Sequence, residues 1–125
     1  MSSRQHLKVI NNTSKYYEEY GRKLKLEWSG DTHEGESRES ILEVGQSDTK
    51  KSKRTDDANF IVDIFREKNG EWINSGQFSE HVSGIGGSEE TNELLIFPDS
   101  QDQAFLLLAR TDNDPPIRRF KKEEW

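Results

Sequence analysis

The run Lys23-Leu24-Lys25-Leu26-Glu27-Trp28 alternates charged and apolar residues without an error. A side-chain period of two is that of a β-strand, so Leu24, Leu26 and Trp28 share one face while the charges point into water. A strand written this way needs a second layer over its apolar face, and the rest of the chain has to supply it. Period-two patterns recur along the sequence and no segment carries a persuasive helical stripe, which predicts an all-β fold.

His6 to Asn11, with Leu7, Val9 and Ile10, reads as a first strand ahead of the turn-forming Asn11-Asn12-Thr13-Ser14. Lys15 to Tyr20 either extends it or forms an aromatic loop. After the polar link Ser29 to Glu39, a short strand around Ile41, Leu42 and Val44 stops at Gly45. Gln46 to Asn59 is almost wholly polar, with Lys50, Lys51, Lys53 and Arg54 followed by Asp56 and Asp57, and is expected as a long exposed loop or an edge. Phe60 to Arg66 is a β-branched and aromatic strand. Asn69-Gly70 then signals a hairpin, because both residues tolerate the positive φ of a type I′ turn, and Glu71 to Asn74 returns from it.

Ser83 to Glu90 is a loose, glycine-rich connection. Glu93 to Phe97 and Gln103 to Arg110 are apolar strands around Pro98-Asp99-Ser100, and Asp112 to Pro116 breaks the pattern. About seven or more short strands with regular turn signals predict an antiparallel β-sandwich. It is expected as a single domain over residues 1–117 with a charged C-terminal tail at 118–125. The predicted core is Val9, Leu24, Leu26, Trp28, Ile41, Phe60, Val62, Ile64, Leu95, Phe97, Phe105 and Leu107.

A chain of 125 residues suits one core rather than two. Its hydrophobic fraction is only 30%, but the aromatics sit within apolar clusters such as Phe60–Phe65 and Leu94–Phe97, so a compact core with long charged loops is expected instead of disorder. Twenty-four Asp and Glu against 18 Lys and Arg give a net charge of −6, which opposes attraction to phosphate backbones, and nucleic acid is not an expected partner. The opening Met1 to His6 leads into a charged segment, and no run approaches the roughly 20 apolar residues of a membrane span. Zero cysteines remove disulfides, thiolate metal sites and cysteine catalysis, and suit a reducing cytoplasm. The expected location is cytoplasmic, with release by a non-classical route left open.

Catalysis finds no obvious machinery. His6, His33 and His81 are the only bases of suitable pKa class, and none stands in a Gly-x-Ser-x-Gly elbow. Ser79-Glu80-His81 are neighbours in sequence, whereas triad members converge from separate elements. Neither an enzyme nor a cofactor is expected. Asp31, Glu34 and Glu36, Asp56 with Asp57, and Asp112 with Asp114 offer carboxylates of the kind calcium prefers, yet the spacing lacks the order of an EF-hand loop, and solvated loops are the better reading. Ser83-Gly84-Ile85-Gly86-Gly87-Ser88 lacks the Gly-Lys-Ser/Thr ending of a P-loop.

The aromatic set is large for so polar a chain. Trp28 belongs to the core by its alternation with Leu24 and Leu26. Tyr16, Tyr17 and Tyr20, joined by Trp72, are the candidate recognition residues, since such rings favour interfaces that are apolar at one end and wet at the other. Packing over the sandwich edge is the competing reading of the tyrosines.

Three pieces of the chain resemble a known family. Leu7-Lys8-Val9-Ile10-Asn11-Asn12 is followed by Lys25-Leu26-Glu27-Trp28, and then by Gly45-Gln46-Ser47-Asp48 ahead of Phe60-Ile61-Val62-Asp63-Ile64-Phe65. In that order, over roughly the first half of the chain, they resemble the aegerolysins, small acidic β-sandwich proteins that bind membrane lipids and often work with a larger pore-forming partner. The resemblance implies a non-catalytic module whose partner is membrane lipid. The family's tryptophan-rich segment has no counterpart in Trp72 to Asn92, so no lipid-contacting residue is carried over. Read from its residues alone, the chain also suits an intracellular protein-binding module of adaptor, inhibitor or immunity type, steered by acidic loops at Asp31–Glu36 and Asp56–Asp57 with tyrosines as anchors. The oligomeric state is left open by the sequence.

Overall fold

Alternation turns into two layers of strands. The computed structural model describes residues 4–53, 57–83, 91–100, 105–110 and 114–121. Among these, the strands are β1 (His6–Asn11), β2 (Leu24–Gly30), β3 (Glu39–Leu42), β4 (Ser47–Lys51), β5 (Asp57–Lys68), β6 (Glu71–Ser83), β7 (Thr91–Pro98), β8 (Phe105–Ala109) and β9 (Arg118–Lys121). They form a five-stranded sheet in the order β4-β1-β7-β8-β9 and a four-stranded sheet in the order β3-β2-β5-β6. The fold is an all-β sandwich. Its pairings are antiparallel except for β1 with β7, which run parallel with His6 opposite Thr91.

The inward faces follow the expected parity in the best-patterned strands. Leu7 and Val9, Leu24, Leu26 and Trp28, Phe60, Val62 and Ile64, Phe78 and Val82, Leu94 and Ile96, Leu106 and Leu108, and Phe120 join in one buried cluster. Trp28 meets Phe60 edge to face, with centroids 6.3 Å apart. Phe97 is buried as well. Two expected core residues are not buried in this way. Ile41 is 43% exposed, because β3 turns Ser40 and Leu42 inward and pairs Ile41 with the outward Lys25. Leu95 is only half-buried, since Leu94 and Ile96 take the inward positions of β7. The side chains of Phe105 and Leu107 lie outside the described residues.

Polar segments also become strands. Of the stretch expected as a loop or an edge, Ser47–Lys51 is the edge strand β4, and Lys50 is 5% exposed. Arg118–Lys121, read as the start of a charged tail, pairs with β8 and buries Phe120. The β5–β6 hairpin turns at Asn69 (φ 53°) and Gly70 (φ 79°), as its sequence predicts, but β6 runs well beyond Asn74. Gly76, at φ 128°, lies against the Phe120 ring, where a Cβ would stand 2.6 Å from Cδ1. No side chain fits between them. The glycine-rich 84–90 segment lies outside the described residues, and among the described residues no helix is long and apolar enough to cross a membrane.

Side-chain clamps join the sheets at both edges. On one side Ser40 Oγ of β3 donates to Asp48 Oδ2 of β4 (2.6 Å), and each partner is held within its own sheet, Ser40 by the Trp28 Nε1 donor (2.8 Å) and Asp48 by Lys50 Nζ at 3.0 Å. On the other, Arg110 Nη2 donates to the buried Glu80 carboxylate, while Arg110 Nη1 donates to Asn92 Oδ1.

Candidate functional site

The connection from β1 to β2 carries the three tyrosines, and its base is held by buried polar groups. Asn11 Nδ2 donates to the carbonyls of Arg22 (2.7 Å) and Leu42 (2.9 Å). Thr13 Oγ1 donates to Asn11 Oδ1 (2.8 Å) and accepts from the Arg22 N–H (2.8 Å). Asn11 and Thr13 are fully buried. The loop therefore rises from a fixed footing, tied at once to β1, to the start of β2 and to the end of β3.

From that footing the chain turns at Lys15, whose N–H meets the Asn12 carbonyl, and closes a short 3₁₀ turn at Glu18–Tyr20. The tyrosine rings form a connected row. Tyr17 and Tyr20 are edge to face at 5.2 Å, and Tyr16 approaches Tyr17 edge-on at 6.5 Å. Tyr16 is 50% exposed, its backbone is in the left-handed region at φ 71°, and Lys15 Nζ lies 5.3 Å from its ring centroid. A bulky non-glycine residue there is strained, and such strain concentrates where a side chain must be presented in a set direction.

Val44 joins this end of the sandwich without having been anticipated as a site residue. It lies in the β3–β4 turn, is 43% exposed, and its Cγ2 would lie 3.1 Å from a Cβ on Gly21. The sequence signal was present only as an apolar residue beside Gly45.

Trp72 belongs to a different cluster, on the outer face of the four-stranded sheet. Lys25 Nζ lies 5.4 Å from the Trp72 ring and 4.7 Å from the Phe65 ring, and 3.5 Å from Glu27 Oε1. Trp72 is half-buried and pairs in register with Glu67. The structure thus brings the tyrosines together and sets Trp72 into a cation–aromatic cluster of its own. The next outward row places Glu39, Glu27 and Asp63 side by side across three strands. Together with Arg38 they line an open cleft of about 350 Å³.

The acidic loops have structural work. Asp31 Oδ2 accepts from the Asn59 N–H (2.9 Å), and Glu36 Oε1 accepts from the Lys51 N–H (3.1 Å). Among the described residues no three His, Asp or Glu side chains are grouped as a metal site would need, and Asp56 and Asp112 fall outside those residues. The three histidines stand on separate elements: His6 on β1, His33 in the β2–β3 loop and His81 on β6. Comparison of the chain with family models, with curated proteins and with solved structures finds no match.

Proposed function

We propose that the chain is a non-catalytic recognition module of aegerolysin type, which meets membrane lipid through the sandwich end carrying Tyr16 and Val44. The observation that supports it most is Tyr16. Its ring is half in water, its backbone is strained, and Tyr17 and Tyr20 buttress it from a buried polar base. An amphipathic ring beside a lysine and an exposed valine matches the chemistry of a lipid headgroup boundary. The pieces that carry the family resemblance fall on β1, β2, the turn into β4, and β5, consistent with a common sandwich plan. A pore-forming protein is the companion such a module would serve.

Co-sedimentation with vesicles of sphingolipid, sterol and anionic mixtures tests this reading. The expected result is binding to at least one mixture, weakened by Tyr16→Ala. If every mixture leaves the protein in solution, the reading fails.

A second reading has its own observation. The row Glu39–Glu27–Asp63 places like charges opposite one another, an arrangement unfavourable within a sheet and relieved by a cationic partner. A basic protein docked there would make the chain a protein-binding module. Its association should slow as salt rises from about 0.05 to 0.5 M, because exposed charges are screened over that range.

A further inference from the structure

The end of the sandwich away from the tyrosines holds a small basic cavity, built on a buried polar floor. Gln5, Thr32 and Ser52 are fully buried there. The Gln5 N–H donates to Ser52 Oγ (2.9 Å), the Ser52 N–H donates to the Gln5 carbonyl (2.7 Å), and Thr32 bridges to Ser52. The His33 N–H to Lys51 carbonyl and Lys53 N–H to Asp31 carbonyl bonds continue this join between the β2–β3 loop and the end of β4. Arg4, His33, Glu34 and Lys53 line a cavity of about 260 Å³ above it. That is smaller than the pockets of roughly 300–1,000 Å³ that hold drug-sized ligands, and suits a small group.

Each basic side chain is prepared as a donor. Arg4 Nη1 donates to the carbonyls of Ser52 (3.0 Å) and Lys53 (2.9 Å), which fixes the guanidinium plane and leaves Nε–H and the Nη2 protons uncommitted among the described residues. His33 Nδ1 accepts from the Gly35 N–H (2.9 Å), so the proton of the neutral ring sits on Nε2, a donor. Lys53 is exposed and, among the described residues, forms no ion pair. A fixed guanidinium, an ammonium and an imidazole N–H around one small cavity form a recognition set for tetrahedral oxyanions.

We propose that this cavity binds a phosphate group, free or as a phosphomonoester. Glu34 on its rim opposes the anion and keeps affinity modest. The site is separate from the tyrosine end and does not depend on the lipid reading of that end.

The test is a titration of the full-length protein with inorganic phosphate at constant ionic strength, followed by amide NMR. The His33, Gly35 and Lys53 resonances should shift saturably. Lys53→Gln should weaken binding by at least about threefold, Glu34→Gln should tighten it, and Lys121→Gln, on β9, should do neither. Unchanged amide spectra of the phosphate-free variants would show that all three fold. Vesicles of phosphatidylcholine with and without phosphatidic acid distinguish the sources. Retention only with phosphatidic acid, lost in Lys53→Gln and competed by inorganic phosphate, assigns a headgroup. Saturation by inorganic phosphate with no vesicle retention assigns a soluble ligand. Absence of saturable shifts, or a titration that Lys53→Gln leaves unchanged, overturns the proposal.

Discussion

Ser40 Oγ donates to Asp48 Oδ2 at 2.6 Å, and so joins β3 of one sheet to β4 of the other. Burial pushes the Asp48 carboxyl up, but hydrogen bonds from Ser40 and Lys50, the Lys50 charge and the Thr49 N–H outweigh it and hold the group below the usual carboxylate range. A carboxyl with a lowered folded-state pKa contributes stability that is present above its unfolded value, about 3.9, and is lost as pH falls through the folded one. Asp48→Asn should therefore lower the urea midpoint at pH 7, and the gap to wild type should close as pH drops below about 4. A gap that stays constant down to pH 2 would contradict this account.

Trp28 combines the core and the clamp, since its ring meets Phe60 and its Nε1 donates to Ser40. Trp28→Ala should cost about 3–5 kcal/mol in equilibrium unfolding. Trp28→Phe keeps much of the apolar area and loses the hydrogen bond, so about 1–2 kcal/mol is expected. Equal losses for the two substitutions would mean that the indole N–H, and not the packing, dominates.

Gly76→Ala drives a methyl into the Phe120 ring at a φ that L residues rarely adopt. A destabilisation of about 1–3 kcal/mol is expected. Adding Phe120→Leu should recover part of that loss, making the pair non-additive. Strict additivity in a double-mutant cycle would show that backbone strain alone is responsible.

Tyr16→Gly separates fold from recognition. Glycine takes a positive φ without strain, so stability should hold or rise by up to about 1 kcal/mol, while vesicle binding falls. A marked loss of thermal stability would make Tyr16 a packing residue instead.

What could be read from the sequence depended on whether a strand's inward positions were apolar. In β2 they are Leu24, Leu26 and Trp28, and the alternation alone gives the buried face. In β4 the buried position is Lys50 and its neighbour Asp48 faces Ser40, so no hydrophobic alternation announces the strand. Strand β9 has only Phe120 turned inward, and β6 spends inward positions on Gly76 and Glu80. Apolar residues on both faces conceal parity, so the pattern of β7 points Leu95 inward where the structure turns Leu94 and Ile96. The tyrosine loop was visible because its residues are adjacent. The basic cavity was not, because Arg4, His33 and Lys53 meet only when the β2–β3 loop is joined to the end of β4.

The parallel pairing of β1 with β7 has a consequence for assembly. β1 enters the five-stranded sheet beside β7, a strand that comes later in the chain than all four strands of the other sheet, and until β7 is made its only sheet neighbour is β4. Two strands alone are at best marginally stable in water. The four-stranded sheet, built from nearer neighbours in sequence, has no such wait and would form first, with its apolar face uncovered. Closure then depends on a long-range contact, which places refolding in the millisecond-to-second range typical of non-local β topologies, as a stopped-flow trace of tryptophan fluorescence would read. Any chain cut short before Thr91 would leave β1 without its parallel partner and the five-stranded sheet reduced to β4 and β1.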